Sequence, residues 1–163
     1  MPEPEEGRLT TRALLDAGVF IGALLKGDPR HQESRALVDH ARRGDVLACT
    51  TPGTLSEVCA ALTWEQAQPR HDPAEAARAV QLLVVPPSAI VVLSEDREVA
   101  LRAVELAALR GLRSRRIHDA RHAAAALNAG VSSVYTYDRE AWAVFAADGI
   151  LILGPGTPAP ARS

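Results

Sequence analysis

The sequence predicts an α/β domain: helices on both faces of a mostly parallel sheet of about five strands. Two observations carry this. Short apolar runs alternate with longer helical patterns along the whole chain, and helix-capping signals separate them. A third is compositional. Of 163 residues, 47% are hydrophobic but only 4% aromatic, so the core is built from Ala, Leu and Val, which suits helices packed closely on a sheet.

Taken in order, "RALLD" (Arg12–Asp16) reads as a short buried strand feeding the helix "AGVFIGALL". "DPRHQESRALVDHARRG" has Pro29 near its start and Gly44 at its end, with Ala36, Leu37, His40 and Ala41 as the expected inner stripe. "DVLACT" (Asp45–Thr50) is a second strand. The next helix opens on Thr51 and Pro52, a cap followed by proline, and is expected to reach about Gln68. Asp72 and Pro73 start another, stopped by Pro86 and Pro87. "AIVVL" (Ala89–Leu93) is continuously apolar, which predicts a strand buried on both faces. Ser94 is the expected cap of the helix that Gly111 closes. "RRIHDARHAAAALNAG" is an Ala-rich helix, "SSVYTYD" a strand, "REAWAVFAADG" a helix and "ILIL" the last strand. The domain is expected to span 11–153, with flexible tails at 1–10 and 154–163.

Composition bounds the function. The net charge of −2 gives no global attraction to nucleic acid or membrane, so a nucleic-acid site would rest on a local patch. No run approaches the roughly 18 apolar residues that span a bilayer. "MPEPEEG" is acidic where a signal peptide is basic. Cys49 and Cys59 have neither C-x-x-C spacing nor a Cys/His cluster, which argues against structural zinc and for a reducing, cytoplasmic setting.

Four acids stand apart from the solvated charges. Asp16 and Asp138 each follow an apolar strand directly, at the carboxyl edge where α/β sheets bind ligands. Glu57 lies within "TLSEVCAAL", on a mostly apolar face with Thr54, Ala60, Ala61 and Trp64. Asp119 shares a helix face with His122, Ala123 and Ala126. Each alone has an ordinary reading, as an N-cap after a strand or an acid at the edge of a helix face. Together, with few basic partners nearby, they point to a cation. Oxygen-only ligation is hard-cation chemistry, hence Mg²⁺ or Mn²⁺.

"LLDAGVFIGALL", "TPGTLSEVCAAL", "RIHDARHAAAAL" and "VYTYDREAW", in this order, resemble the PIN domain, in particular the VapC-type toxins of bacterial toxin–antitoxin pairs. The resemblance runs from about Leu14 to Leu153. It implies a three-layer α/β/α fold and a metal-dependent endoribonuclease, with Asp16, Glu57, Asp119 and Asp138 as the catalytic and metal-holding quartet. Thr136 matches a hydroxyl position lining the same site. Gly18 departs from the pattern, which commonly has Ser, Thr or Asn there. The implied chemistry is in-line phosphodiester hydrolysis, and the implied partners are an RNA substrate, a cognate antitoxin and a second copy of the chain, with no membrane.

RNA approaching such a site needs cations, and Arg113, Arg115, Arg116, Arg121 and Arg139 flank Asp119 and Asp138. Trp64 and Trp142 are expected in the core or an interface rather than stacked on bases. Among rivals, a phosphoacceptor receiver domain would need a late lysine, and Lys26 is the only one. A structure-specific DNA nuclease would need duplex-binding elements for which the chain has little room. A catalytically weak PIN-like module that binds RNA or a protein remains the alternative.

Overall fold

The computed structural model describes residues 12–156; most of the two predicted tails, 1–10 and 157–163, lies outside them. Five short strands form one sheet: β1 (Ala13–Leu15), β2 (Ala48–Thr50), β3 (Val91–Val92), β4 (Ser133–Tyr135) and β5 (Leu151–Leu153). Their order is β3-β2-β1-β4-β5 and every pairing is parallel. Leu14 stands opposite both Cys49 and Val134. The strand order reverses at β1, so the crevice beyond its carboxyl end is the topological switch point.

Alternation along the strands separates two cores. Ala13, Leu15, Ala48 and Tyr135 face α1 (Ala17–Leu24), α2 (His31–Arg43), α3 (Pro52–Leu62) and α4 (Pro73–Val84). Leu14, Cys49 and Val134 face α5 (Arg97–Leu109), α6 (Ile117–Asn128) and α7 (Arg139–Ala143). The result is the expected α/β/α sandwich. In α6, Ala120 and Ala123 to Ala126 are all buried, so alanine lets this helix lie close to the sheet with neighbours on two sides.

Local chemistry explains the helix ends. Thr51 caps α3 through the Thr54 N–H, and Pro52 takes the first turn, where its missing N–H costs nothing. Asp72 and Glu75 form a capping box on α4. Gly44 ends α2 in the left-handed region, at φ 80°, where a side chain would be strained.

Several expectations are corrected. The third strand is not buried on both faces: β3 is a two-residue edge strand, and Val92 is 38% exposed because only β2 pairs with it. The helix after Thr51 stops at Leu62 rather than Gln68; the Thr63 hydroxyl turns back onto the carbonyls of Cys59 and Ala60, and Trp64 to Gln66 have no core to cover. The inner stripe of α2 is Ser34, Leu37, Val38 and Ala41, while Ala36 and His40 face solvent; His40 instead meets Asp45 at 3.1 Å. Asp96, not Ser94, caps α5 by accepting from the Val99 N–H. The helix expected after Tyr137 is divided into α7 and a 3₁₀ turn, Ala146–Asp148. Beyond β5, Pro155 is buried, and Gly156 is exposed beside the Glu33 side chain.

Candidate active site

Thr51, Asp16 and Thr136 are the first residues beyond the carboxyl ends of three adjacent strands, β2, β1 and β4. Parallel pairing therefore brings to one sheet edge residues more than a hundred positions apart. Asp16 caps α1, its Oδ1 accepting the Ala17 N–H at 2.9 Å. Its Oδ2 accepts the Thr136 hydroxyl at 2.7 Å and the Trp142 indole N–H at 3.1 Å. Three neutral donors thus replace water at the Asp16 carboxylate.

Thr136 joins two acids. While donating to Asp16 it accepts the Asp138 N–H at 2.9 Å, and Asp138 in turn caps α7 through the Ala141 N–H at 3.0 Å. The N-cap and site readings of Asp16 and Asp138 are therefore compatible, because capping leaves each carboxylate oxygens with free lone pairs.

Asp119 is the residue where the acids meet electrically. Burial raises its pKa above the ordinary aspartate range, the charges of Asp16 and Asp138 push the same way, and Arg116 and His122 oppose them. Arg116 lies at 3.7 Å from the Asp119 carboxylate and also donates to the Ala141 carbonyl. Asp16 and Asp138, just beyond β1 and β4, are therefore near enough to α6 for their charges to be felt at Asp119.

Glu57 is placed differently. Ala60 and Trp64, expected to share a covered face with it, are exposed; Trp64 is 59% exposed. The Glu57 side chain is itself half exposed, but its Oε1 accepts from His122 Nε2 at 2.9 Å. His122 is buried, and its Nδ1 contacts the Thr51 hydroxyl at 2.7 Å. The sequence marks Thr51 only as a helix cap and assigns His122 no role at the site. The available signal was that His122 lies three residues after Asp119 and so shares its helix face. Trp142, expected in the core, is buried as expected, and its use as a donor to Asp16 was not legible.

Gly18 leaves ordinary van der Waals space: a Cβ there would come no nearer than 3.8 Å, to Tyr137. Of the flanking arginines, Arg121 is committed to Glu95 at 2.7 Å, whereas Arg113, Arg115 and Arg139 are exposed.

Among the described residues no three Asp, Glu, His or Cys side chains already close on one point as metal ligands. The donor set nevertheless suits a hard divalent cation. It offers carboxylate and hydroxyl oxygens, and the repulsion felt at Asp119 is the kind such a cation relieves.

The PIN domain family model matches residues 13–147, which contain all four acids. Among solved structures, the chain is similar to VapC20 of Mycobacterium tuberculosis, described as a sarcin-ricin loop-cleaving toxin. The TM-score is 0.65 at 19% identity, covering 85% of this chain and 96% of that one. No curated protein matches the chain. No helix among the described residues is long and apolar enough to cross a membrane.

Proposed function

Starting from the premise that this chain belongs to the PIN domain family, we propose that it is a Mg²⁺- or Mn²⁺-dependent endoribonuclease, the toxin of a toxin–antitoxin pair. The observation that supports this reading is that Asp16 and Asp138, just beyond β1 and β4 at the switch point, are bridged by the Thr136 hydroxyl, while their like charges help to raise the pKa of Asp119. Fold similarity to a toxin that cleaves the sarcin-ricin loop supports RNA as the substrate class.

Asp16, Asp119 and Asp138, with Glu57 completing the set, would hold the cation. When bound, it supplies a water of lowered pKa and offsets charge developing on the phosphate and the leaving oxygen. Asp16 is suited to a fixed position, since Ala17, Thr136 and Trp142 hold its carboxylate. Thr136 keeps Asp16 and Asp138 in register through one hydroxyl. Arg113, Arg115 and Arg139 are the proposed phosphate contacts, being exposed and near Asp119 and Asp138 in sequence; Arg116 balances Asp119. A cognate antitoxin, a homodimer and a cytoplasmic location belong to the same reading.

The test is cleavage of a mixed pool of structured RNAs by purified, antitoxin-free protein, with Mg²⁺, with Mn²⁺ and with EDTA. Metal-dependent cutting abolished in Asp16→Asn is expected. Folded protein that cuts none of several RNA classes would contradict the proposal and favour a PIN-like module that binds RNA or a protein.

A further inference from the structure

Glu57 differs from the other three acids in what holds it. Asp16 and Asp138 are fixed by backbone N–H groups at helix caps, but Glu57 projects from the middle of α3 with a half-exposed side chain. Its described hydrogen-bond partner is His122, from the helix layer on the opposite face of the sheet.

The contact has a defined direction. A carboxylate only accepts, so His122 Nε2 carries a proton and donates it to Glu57, whichever state Nδ1 is in. Nδ1 meets the Thr51 hydroxyl, and that oxygen also accepts the Thr54 N–H at 3.1 Å and lies 3.0 Å from the Thr54 hydroxyl. Both ring nitrogens are therefore held, one by the end of β2 and one by Glu57, and the plane of the ring is fixed. The site around the ring is built to admit it. Gly53 leaves room where an added Cβ would come within 3.0 Å of His122 Cε1. His122, Thr51 and Thr54 are all buried, so water does not compete for the bonds among these three.

We infer that His122 is a positioning residue: it reaches across the carboxyl edge of the sheet from α6 and sets the Glu57 carboxylate for a divalent cation. The inference rests on the metal-site reading above. Because His122 and Asp119 stand on one helix, the same strut fixes where Glu57 lies relative to Asp119. Glu57 Oε1 accepts the imidazole N–H, which leaves Oε2 for the cation. Hydrogen-bonded outer partners of this kind commonly tune affinity about 10–100-fold.

Mn²⁺ binding measured by calorimetry without RNA tests it. His122→Phe, which keeps ring bulk and removes the donor, is expected to weaken Mn²⁺ binding about 10–100-fold. His122→Gln, which retains an N–H donor, is expected to recover most of that loss. In a Glu57→Gln background, His122→Phe is expected to weaken binding little further, because the two act through one contact. Where His122→Phe fails to fold, Thr51→Val breaks the next link, and weaker Mn²⁺ binding is again expected. Wild-type affinity in folded His122→Phe or Thr51→Val overturns the role of His122 and leaves the metal-site reading intact. So does a full additional loss in the Glu57→Gln background. Absence of Mn²⁺ binding by the wild-type protein, or wild-type affinity in Glu57→Gln, overturns both.

Discussion

Trp142 donates its indole N–H to Oδ2 of Asp16 across 126 positions of sequence, from the first turns of α7 to the end of β1. A buried aromatic is thus also part of the site. Its ring packs edge-on against Phe145 at 5.6 Å, which keeps the N–H aimed. Trp142→Phe removes the donor and keeps most of the bulk. We predict a loss of about 1–2 kcal/mol in stability and about tenfold weaker Mn²⁺ binding, read by denaturant unfolding and calorimetry. Unchanged metal affinity would show that the donor does not help to set Asp16.

Thr136 serves two acids through one buried oxygen. Thr136→Val keeps the shape but leaves the Asp138 N–H without its acceptor and deprives Asp16 of a donor. A cost of about 1–3 kcal/mol follows from the unmet N–H. Thr136→Ser keeps the hydroxyl and should unfold at nearly the wild-type denaturant midpoint. Equal midpoints for the Val and Ser variants would contradict the bridging role.

Asp119 gives a pH dependence of known sign. Its folded pKa is raised above the ordinary 3.8 by burial and then by Asp16. The contribution to stability is therefore full below the unfolded pKa and is lost as pH rises through the folded one. Asp119→Asn does not ionise and escapes that loss, while giving up only a half-exposed contact to Arg116 of small worth. In EDTA the variant should melt above wild type at pH 7, with the advantage shrinking toward pH 4. A lower melting temperature at pH 7 would mean that Asp119 is satisfied without a cation.

The two thiols should differ. Burial pushes the Cys49 thiol up to about 12, and its Sγ donates to the Ala13 carbonyl, whereas Cys59 is only half-buried. A thiol reagent at pH 8 should therefore label Cys59 and spare Cys49 until denaturant is added. Equal labelling rates in the folded protein would place the β2 core open to solvent.

Much of this architecture was legible because strand alternation and capping residues are local signals. Asp16, Thr51, Asp72 and Asp138 sit at element boundaries, where short polar side chains have one clear use. What the sequence concealed was set by neighbours far along the chain. "AIVVL" reads as a doubly buried strand, yet its place at the sheet edge exposes Val92. Glu57 reads as lying on a mostly apolar face with Thr54, Ala60, Ala61 and Trp64, yet only Thr54 of these is buried, and His122 from another layer supplies the contact. Periodicity indicates which residues share a face but not what stands opposite. The donors to Asp16 and Glu57, Trp142 and His122, escaped notice for that reason.

The account turns on one claim, that acids gathered from four elements at the switch point form a single cation site. Anomalous diffraction from crystals soaked in Mn²⁺ tests it most directly. The account predicts a peak bounded by the carboxylates of Asp16, Asp119 and Asp138, with Glu57 turned toward it and still accepting from His122. A Mn²⁺ peak elsewhere, or none at concentrations that support RNA cleavage, would contradict it.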